Sequence, residues 1–206
     1  FLFNLFNDPA IITLPGPLRW MLAQFISRKR APVAQAIYAE LGGASPLLAE
    51  TETQAKALEA ALADDRDNEY RVFTAMRYWH PMSDETAGDV AEWGAEHVVL
   101  LPLYPQFSTT TTESSIRDWS RAVAAIGYKV PTAVMCCYPV QPDYVAAQAR
   151  LLRAELRQTP GPVKVLFSAH GLPVKFIEGG DPYQWQIEQG AEAIAKEAGL
   201  GAQDYR

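Results

Sequence analysis

His97-Val98-Val99-Leu100-Leu101-Pro102-Leu103 is a short apolar run, and such runs suit strands buried on both faces of a parallel sheet. Three further runs share its character. They are Tyr70-Arg71-Val72-Phe73-Thr74-Ala75-Met76, Thr132 to Tyr138, and Val163-Lys164-Val165-Leu166-Phe167-Ser168-Ala169. Helical patterns lie between them, and strand-like runs alternating with amphipathic helices predict an α/β fold with a parallel sheet.

The helices announce themselves by their caps and stripes. Ser45-Pro46 reads as an N-cap followed by proline in the first turn, ahead of Leu47, Thr51, Ala55, Leu58 and Leu62 at helical spacing. Ser83 or Asp84 opens the next helix, with Ala87, Val90 and Ala91 on its inner face. Thr110 and Glu113 have capping-box spacing ahead of Ile116, Trp119 and Val123. Val145, Ala149, Leu152 and Leu156 form a stripe after Pro142-Asp143. Gln158-Thr159-Pro160-Gly161-Pro162 then breaks the chain, a candidate domain boundary. The first 26 residues are apolar but interrupted by Asn4, Asn7, Asp8, Pro9, Pro15 and Pro17, and they read as two short helices on a core.

Composition excludes several classes. The chain has 206 residues, 49% hydrophobic and 20% charged, which is ample for a core and too apolar for disorder. A net charge of -6 argues against a nucleic-acid footprint. Two cysteines, adjacent at Cys136 and Cys137, cannot frame a disulfide scaffold and fit a reducing, cytoplasmic setting. No apolar run reaches the roughly 18–20 residues of a membrane-spanning helix. The chain begins at Phe1 inside an apolar segment and ends where an alternating fold would next need a strand. It reads as a piece of something longer.

In parallel sheets the ligand cleft opens at the carboxyl ends of the strands. There this sequence places Arg77-Tyr78-Trp79-His80-Pro81, Tyr104-Pro105-Gln106-Phe107-Ser108, Pro139-Val140-Gln141 and His170-Gly171-Leu172-Pro173. Loops so rich in aromatics suit a flat, hydrophobic ligand with a few polar handles.

At these loops the sequence resembles the ferrochelatases, of bacterial type. The resemblance is carried by Leu101-Pro102-Leu103-Tyr104-Pro105-Gln106-Phe107-Ser108 with Thr109 to Thr112, by Phe167-Ser168-Ala169-His170-Gly171-Leu172-Pro173, and by Gly180-Asp181-Pro182-Tyr183. Gly42-Gly43-Ala44-Ser45-Pro46, Met76-Arg77-Tyr78-Trp79 and the opening Phe1 to Pro15 support it. It implies two similar Rossmann-like (chelatase-like) domains and a lyase that inserts ferrous iron into protoporphyrin IX, the last step of protohaem biosynthesis. On that pattern residues 1–158 would form the N-terminal domain without its first strand. Residues 163–206 would begin the second domain, most of it lying beyond Arg206.

The chemistry of metal insertion assigns roles. Two pyrrole protons must leave, and a neutral imidazole suits that task near neutral pH. His170 follows a strand directly, beside a glycine that permits a tight turn, and the resemblance makes it the catalytic histidine. It is also a candidate metal ligand, since ferrous iron accepts nitrogen. Arg77 and Tyr78 are candidates for the porphyrin-contacting wall, because guanidinium pairs with propionates and stacks on rings; the plainer reading pairs Arg77 with a local acid. The resemblance suggests that Tyr38 and Ser45 bind one propionate, with Lys29 and Arg30 as further candidates. His80 and His97 read as structural. The threonines at 109–112 read as a capping segment under the cleft, and Asp181 as a turn and helix start.

Family members that carry a [2Fe–2S] cluster need four ligands for it, which Cys136 and Cys137 cannot supply, so these read as small buried side chains. No resident cofactor is expected within residues 1–206, with ferrous iron and protoporphyrin as substrates and a peripheral membrane contact as a further partner. The glutamate that the family pairs with its histidine would lie beyond Arg206, and Glu178 is not its equivalent. Rival readings are a tetrapyrrole-binding module without catalysis, and a chelatase for another metal or ring.

Overall fold

The structure, a computed structural model, describes residues 1–40 and 42–206. Helices dominate: α1 (Leu2–Phe6), α2 (Gly16–Glu40), α3 (Leu47–Leu62), α4 (Ser83–Trp93), α5 (Thr112–Ala125), α6 (Pro142–Gln158), α7 (Val174–Glu178) and α8 (Tyr183–Ala198). Strands β1 (Val98–Leu100) and β2 (Thr132–Val134) pair in parallel, with Val98 opposite Thr132 and Leu100 opposite Val134. Parallel strands need a crossover, which α5 supplies in sequence. The α/β reading therefore holds, as a helix-rich chain with a small parallel sheet. Its contacts group into two units, one of Phe1–His97 with Arg117–Pro131, the other of Val98–Ile116 with Thr132–Arg206.

In the first unit α1 packs on α2. Phe3 meets Trp20 edge to face at 6.3 Å, and Ala23 is fully buried. Arg19 braces the connection by donating to the carbonyls of Asn7 and Leu14, both at 2.8 Å. The opening segment does hold a short helix, but the second helix runs for 25 residues and continues past Pro32. Gly42 and Gly43 end it with φ of +91° and +93°, and the Gly43 N–H donates to the Tyr38 carbonyl at 2.7 Å. That left-handed backbone is what glycine permits. On α4 the buried residues are Ser83, Thr86, Ala87 and Val90, close to the predicted inner face. Among the described residues, no helix is long and apolar enough to cross a membrane.

Two strand expectations need correction. Residues 70–76 form no strand, and only Met76 bridges, to Met82. Side chains satisfy this segment's backbone instead. The Val72 N–H donates to the Glu59 carboxylate at 2.8 Å, and the Thr74 carbonyl accepts from the Thr86 hydroxyl at 2.9 Å. Nor are the strands buried on both faces: Val99 is 64% exposed and Leu166 72%. Double burial requires a helical layer on each face, and in this chain these side chains have no such cover.

In the second unit α6 packs on α8 around Val145, Ala149 and Ala195. Gln141 caps α6, its side-chain carbonyl accepting from the Tyr144 N–H at 2.7 Å. Val165 bridges Tyr205 in parallel, the N–H groups of Val165 and Phe167 donating to the carbonyls of Asp204 and Arg206 at 2.8 and 2.9 Å. The start of α5 differs from the predicted capping box. Thr110 bonds the Ser108 hydroxyl at 2.9 Å, and the Ser108 carbonyl accepts the N–H groups of Thr111 and Glu113, both at 3.2 Å.

Candidate active site

His170 lies on the loop that follows the paired segment Val165–Phe167, with its side chain exposed. Phe167 packs edge to face on Tyr205 at 5.7 Å, which anchors that segment just before the histidine. The imidazole lines a cleft of about 640 Å³ together with Pro105, Gln106, Tyr144, Phe167 and Tyr183. That volume falls in the range that takes small organic ligands, and its lining is largely apolar and aromatic. Gly171 does not supply the expected tight turn. Its φ is not positive, and nothing lies within 4 Å of where a Cβ would stand.

Elsewhere in this unit Asp181 is buried at 7% exposure and gathers several hydrogen bonds. Its Oδ2 accepts from the Ser108 hydroxyl at 2.9 Å, the Thr109 N–H at 2.8 Å and the Thr109 hydroxyl at 2.9 Å. Its Oδ1 accepts the Tyr183 N–H at 3.0 Å, which starts α8. Burial pushes this carboxyl up, but the N–H groups of Thr109 and Tyr183 and the two hydroxyls outweigh it. The net effect holds Asp181 below its ordinary value. Asp181 is thus the turn and helix start that its sequence context suggested. It also ties the Ser108–Thr109 turn, next to the cleft residues Pro105 and Gln106, to α8. Gln186 adds a second tie, accepting the Phe107 N–H at 2.7 Å.

The other sequence-selected residues belong to the first unit. Arg77 and Tyr78 converge on one carboxylate oxygen: Arg77 Nη2 and the Tyr78 hydroxyl each donate to Asp8 Oδ2 at 2.8 Å. Asp8 is only 4% exposed, and its other oxygen accepts the Ala10 N–H at 2.8 Å. The Arg77 guanidinium also stacks over the Tyr78 ring at 5.0 Å and stands 3.6 Å from Asp118. Its charge is therefore engaged by two acids, the plainer of the two readings weighed from sequence. Asp8 itself was missed. It entered the sequence reading only as an interruption of an apolar segment, and the one available signal was an acid in so apolar a context.

Tyr38 and Ser45 flank the Gly42–Gly43 turn, Tyr38 half-buried and Ser45 exposed. The Ser45 hydroxyl accepts the Leu47 N–H at 3.3 Å, so it does act as a cap for α3. Lys29 and Arg30 are exposed on α2, where Lys29 borders a shallow depression with Trp20, Met21 and Phe25. His80 pairs with Glu85 at 2.8 Å. The Met82 N–H and then His80 hold the Glu85 carboxyl below its ordinary value. His97 is exposed.

Cys136 is exposed and Cys137 half-buried, which corrects the expectation of small buried side chains. Among the described residues no group of three or more His, Cys, Asp and Glu side chains is gathered as a metal site. Of the residues lining the cleft, His170 is the imidazole to which a metal ion could add.

Fold and cleft together define an α/β protein with a ligand-sized aromatic cleft and a single imidazole on the loop after a paired strand segment. The family model for ferrochelatase matches residues 1–206, and the chain belongs to the ferrochelatase family. It is 54% identical over 200 residues to a ferrochelatase of Phenylobacterium zucineum, covering 95% of this chain and 57% of that protein. It is 52% identical over 200 residues to a ferrochelatase of Hyphomonas neptunium, covering 95% and 55%. Identity to a ferrochelatase of Pelagibacter ubique is 45% over 206 residues, covering 100% and 60%. The chain thus spans somewhat more than half the length of these relatives.

Proposed function

We propose that the protein carrying this chain is a lyase that inserts ferrous iron into protoporphyrin IX. The observation that carries the reading is His170, exposed at an aromatic-lined cleft on a loop held by strand pairing. Its imidazole accepts one pyrrole proton at a time as the metal enters, handing each to water before the next leaves. In its neutral form the same nitrogen is the one to which incoming ferrous iron would add. Iron and porphyrin are substrates, and no resident cofactor is assigned to residues 1–206. Membership of the ferrochelatase family supports the same chemistry.

Arg77 and Tyr78 serve as a rigid porphyrin-facing element, held by Asp8. With its guanidinium engaged by two carboxylates, Arg77 offers the ring a stacking face more than a free charge. Tyr38, Ser45, Lys29 and Arg30 are assigned to the propionates; the exposed cations of α2 and the α3 N-terminus suit anions. Residues 1–158 are assigned to one Rossmann-like domain and 163–206 to the opening of a second. Support for the second comes from the parallel pairing of Val165 with Tyr205 across α7 and α8. The protein is placed in the cytoplasm, with a peripheral membrane contact through the apolar face of α2 that includes Met21 and Phe25.

The test uses the complete protein with Fe(II) or Zn(II) and protoporphyrin IX. His170→Ala is expected to lower metalloporphyrin formation by at least about 100-fold, the scale of a lost general base, while the porphyrin still binds by absorbance titration. Near-normal turnover in that variant overturns the role of His170. Porphyrin binding by the wild type without metallation favours a tetrapyrrole carrier instead, and efficient use of a different metal or ring favours a related chelatase.

A further inference from the structure

Neighbouring residues on an extended strand point to opposite faces, so adjacent cysteines ordinarily diverge. Here they converge. β2 ends at Val134, and just beyond it Cys136 Sγ and Cys137 Sγ stand 3.1 Å apart. The Gln186 side-chain N–H donates to Cys137 Sγ at 3.5 Å. Gln186 is buried, and its other side-chain atom accepts the Phe107 N–H. Cys136 faces solvent. The chain has two cysteines in all.

We propose that Cys136 and Cys137 are a vicinal dithiol site that exchanges with low-molecular-weight disulfides of the glutathione class. Cys137 is the attacking sulfur, because its Sγ accepts the Gln186 side-chain N–H and has the Cys136 thiol within hydrogen-bond reach, contacts that suit a thiolate there. In support, the hydrogen bond to Cys137 and burial push the Cys136 thiol up to about 11, so Cys136 holds its proton and serves as the resolving sulfur. In the first step the Cys137 thiolate bonds to one sulfur of the reagent RSSR. The reagent's S–S bond breaks, and RS⁻ leaves with the electron pair and takes up a proton.

In the second step Cys136, once deprotonated, bonds to Cys137 Sγ and expels the second RS⁻, which is protonated in turn. Overall the protein dithiol loses two electrons and two protons, and RSSR becomes two RSH. Adjacent Cα atoms are about 3.80 Å apart across a trans peptide, shorter than the usual disulfide range of about 4.4–6.8 Å, so a bridge between neighbours is strained. The product is accordingly easy to reduce, as a reversible modification requires. Because Gln186 touches both Cys137 and the Phe107 backbone, the site is wired to the turn beside the His170 cleft.

The experiment treats the folded protein with oxidised glutathione, quenches with acid and maps the tryptic peptide Val130–Arg150, which contains both cysteines. The wild type is expected to yield this peptide lighter by two hydrogens, returning to full mass with dithiothreitol. Cys136→Ser is expected to accumulate a glutathione adduct on Cys137, and Gln186→Leu to slow the wild-type reaction several-fold. A wild-type peptide that keeps two free thiols, or stops at an adduct without the lighter form, overturns the proposal. So does a Cys136→Ser variant that takes up no glutathione.

Discussion

Asp8 shows how one side chain can determine what others do. Its carboxylate is buried and receives Arg77 and the Tyr78 hydroxyl on the same oxygen. Removing it leaves a half-buried guanidinium with the longer contact to Asp118 and takes an acceptor from the Tyr78 hydroxyl, and breaking such a pair costs several kcal/mol. Asp8→Ala is expected to lower unfolding free energy by about 3 kcal/mol in urea titration. Arg121 makes as many ion pairs, to Asp84 and Asp118, yet Arg121 and Asp84 are more than half exposed. Arg121→Ala is therefore expected to cost less than about 1 kcal/mol in the same measurement. Sequence made Arg77 and Tyr78 legible, because they follow an apolar run and carry chemistry of their own. Asp8 was not legible, since its partners lie 69 and 70 positions away and nothing periodic connects them.

Among the elements, helices were read more securely than strands, and the reason is physical. A helix closes its hydrogen bonds within its own segment, so caps and stripes foretell it. The stripe on α6 and the inner face of α4 accordingly appear close to where their spacing put them. A strand needs a partner that the local sequence does not name. The runs at 98–100 and 132–134 found each other, whereas that at 70–76 gave its backbone groups to Glu59 and Thr86.

Helix α4 allows two glycine substitutions of opposite sign. Gly88 is exposed in the helix interior with open space about it, so Gly88→Ala is expected to stabilise by about 0.5–1 kcal/mol. Gly94 ends the helix at φ +81°, where a Cβ is disfavoured. Gly94→Ala is expected to destabilise by about 1 kcal/mol. Thermal unfolding followed by circular dichroism should move the two midpoints in opposite directions.

For the molecule as a whole, alternation of apolar runs and helices was enough to give the α/β class and the loops that border the cleft. Composition added an acidic character but could not tell which apolar side chains would be covered; Val99 and Leu166 stay exposed despite their strand-like runs. The pairing of Val165 with Tyr205 has a kinetic consequence. The segment that holds His170 is closed by residues about 40 positions further on, across both α7 and α8. Closing so long a loop is entropically unfavourable until the intervening helices have shortened it. Protection should therefore come early to the amides of α6 and α8, and later to those of Val165 and Phe167, in pulsed hydrogen exchange during refolding. The histidine would then reach its working position only once the helices beneath it are in place, and the reactive cleft is the last part of this unit to mature.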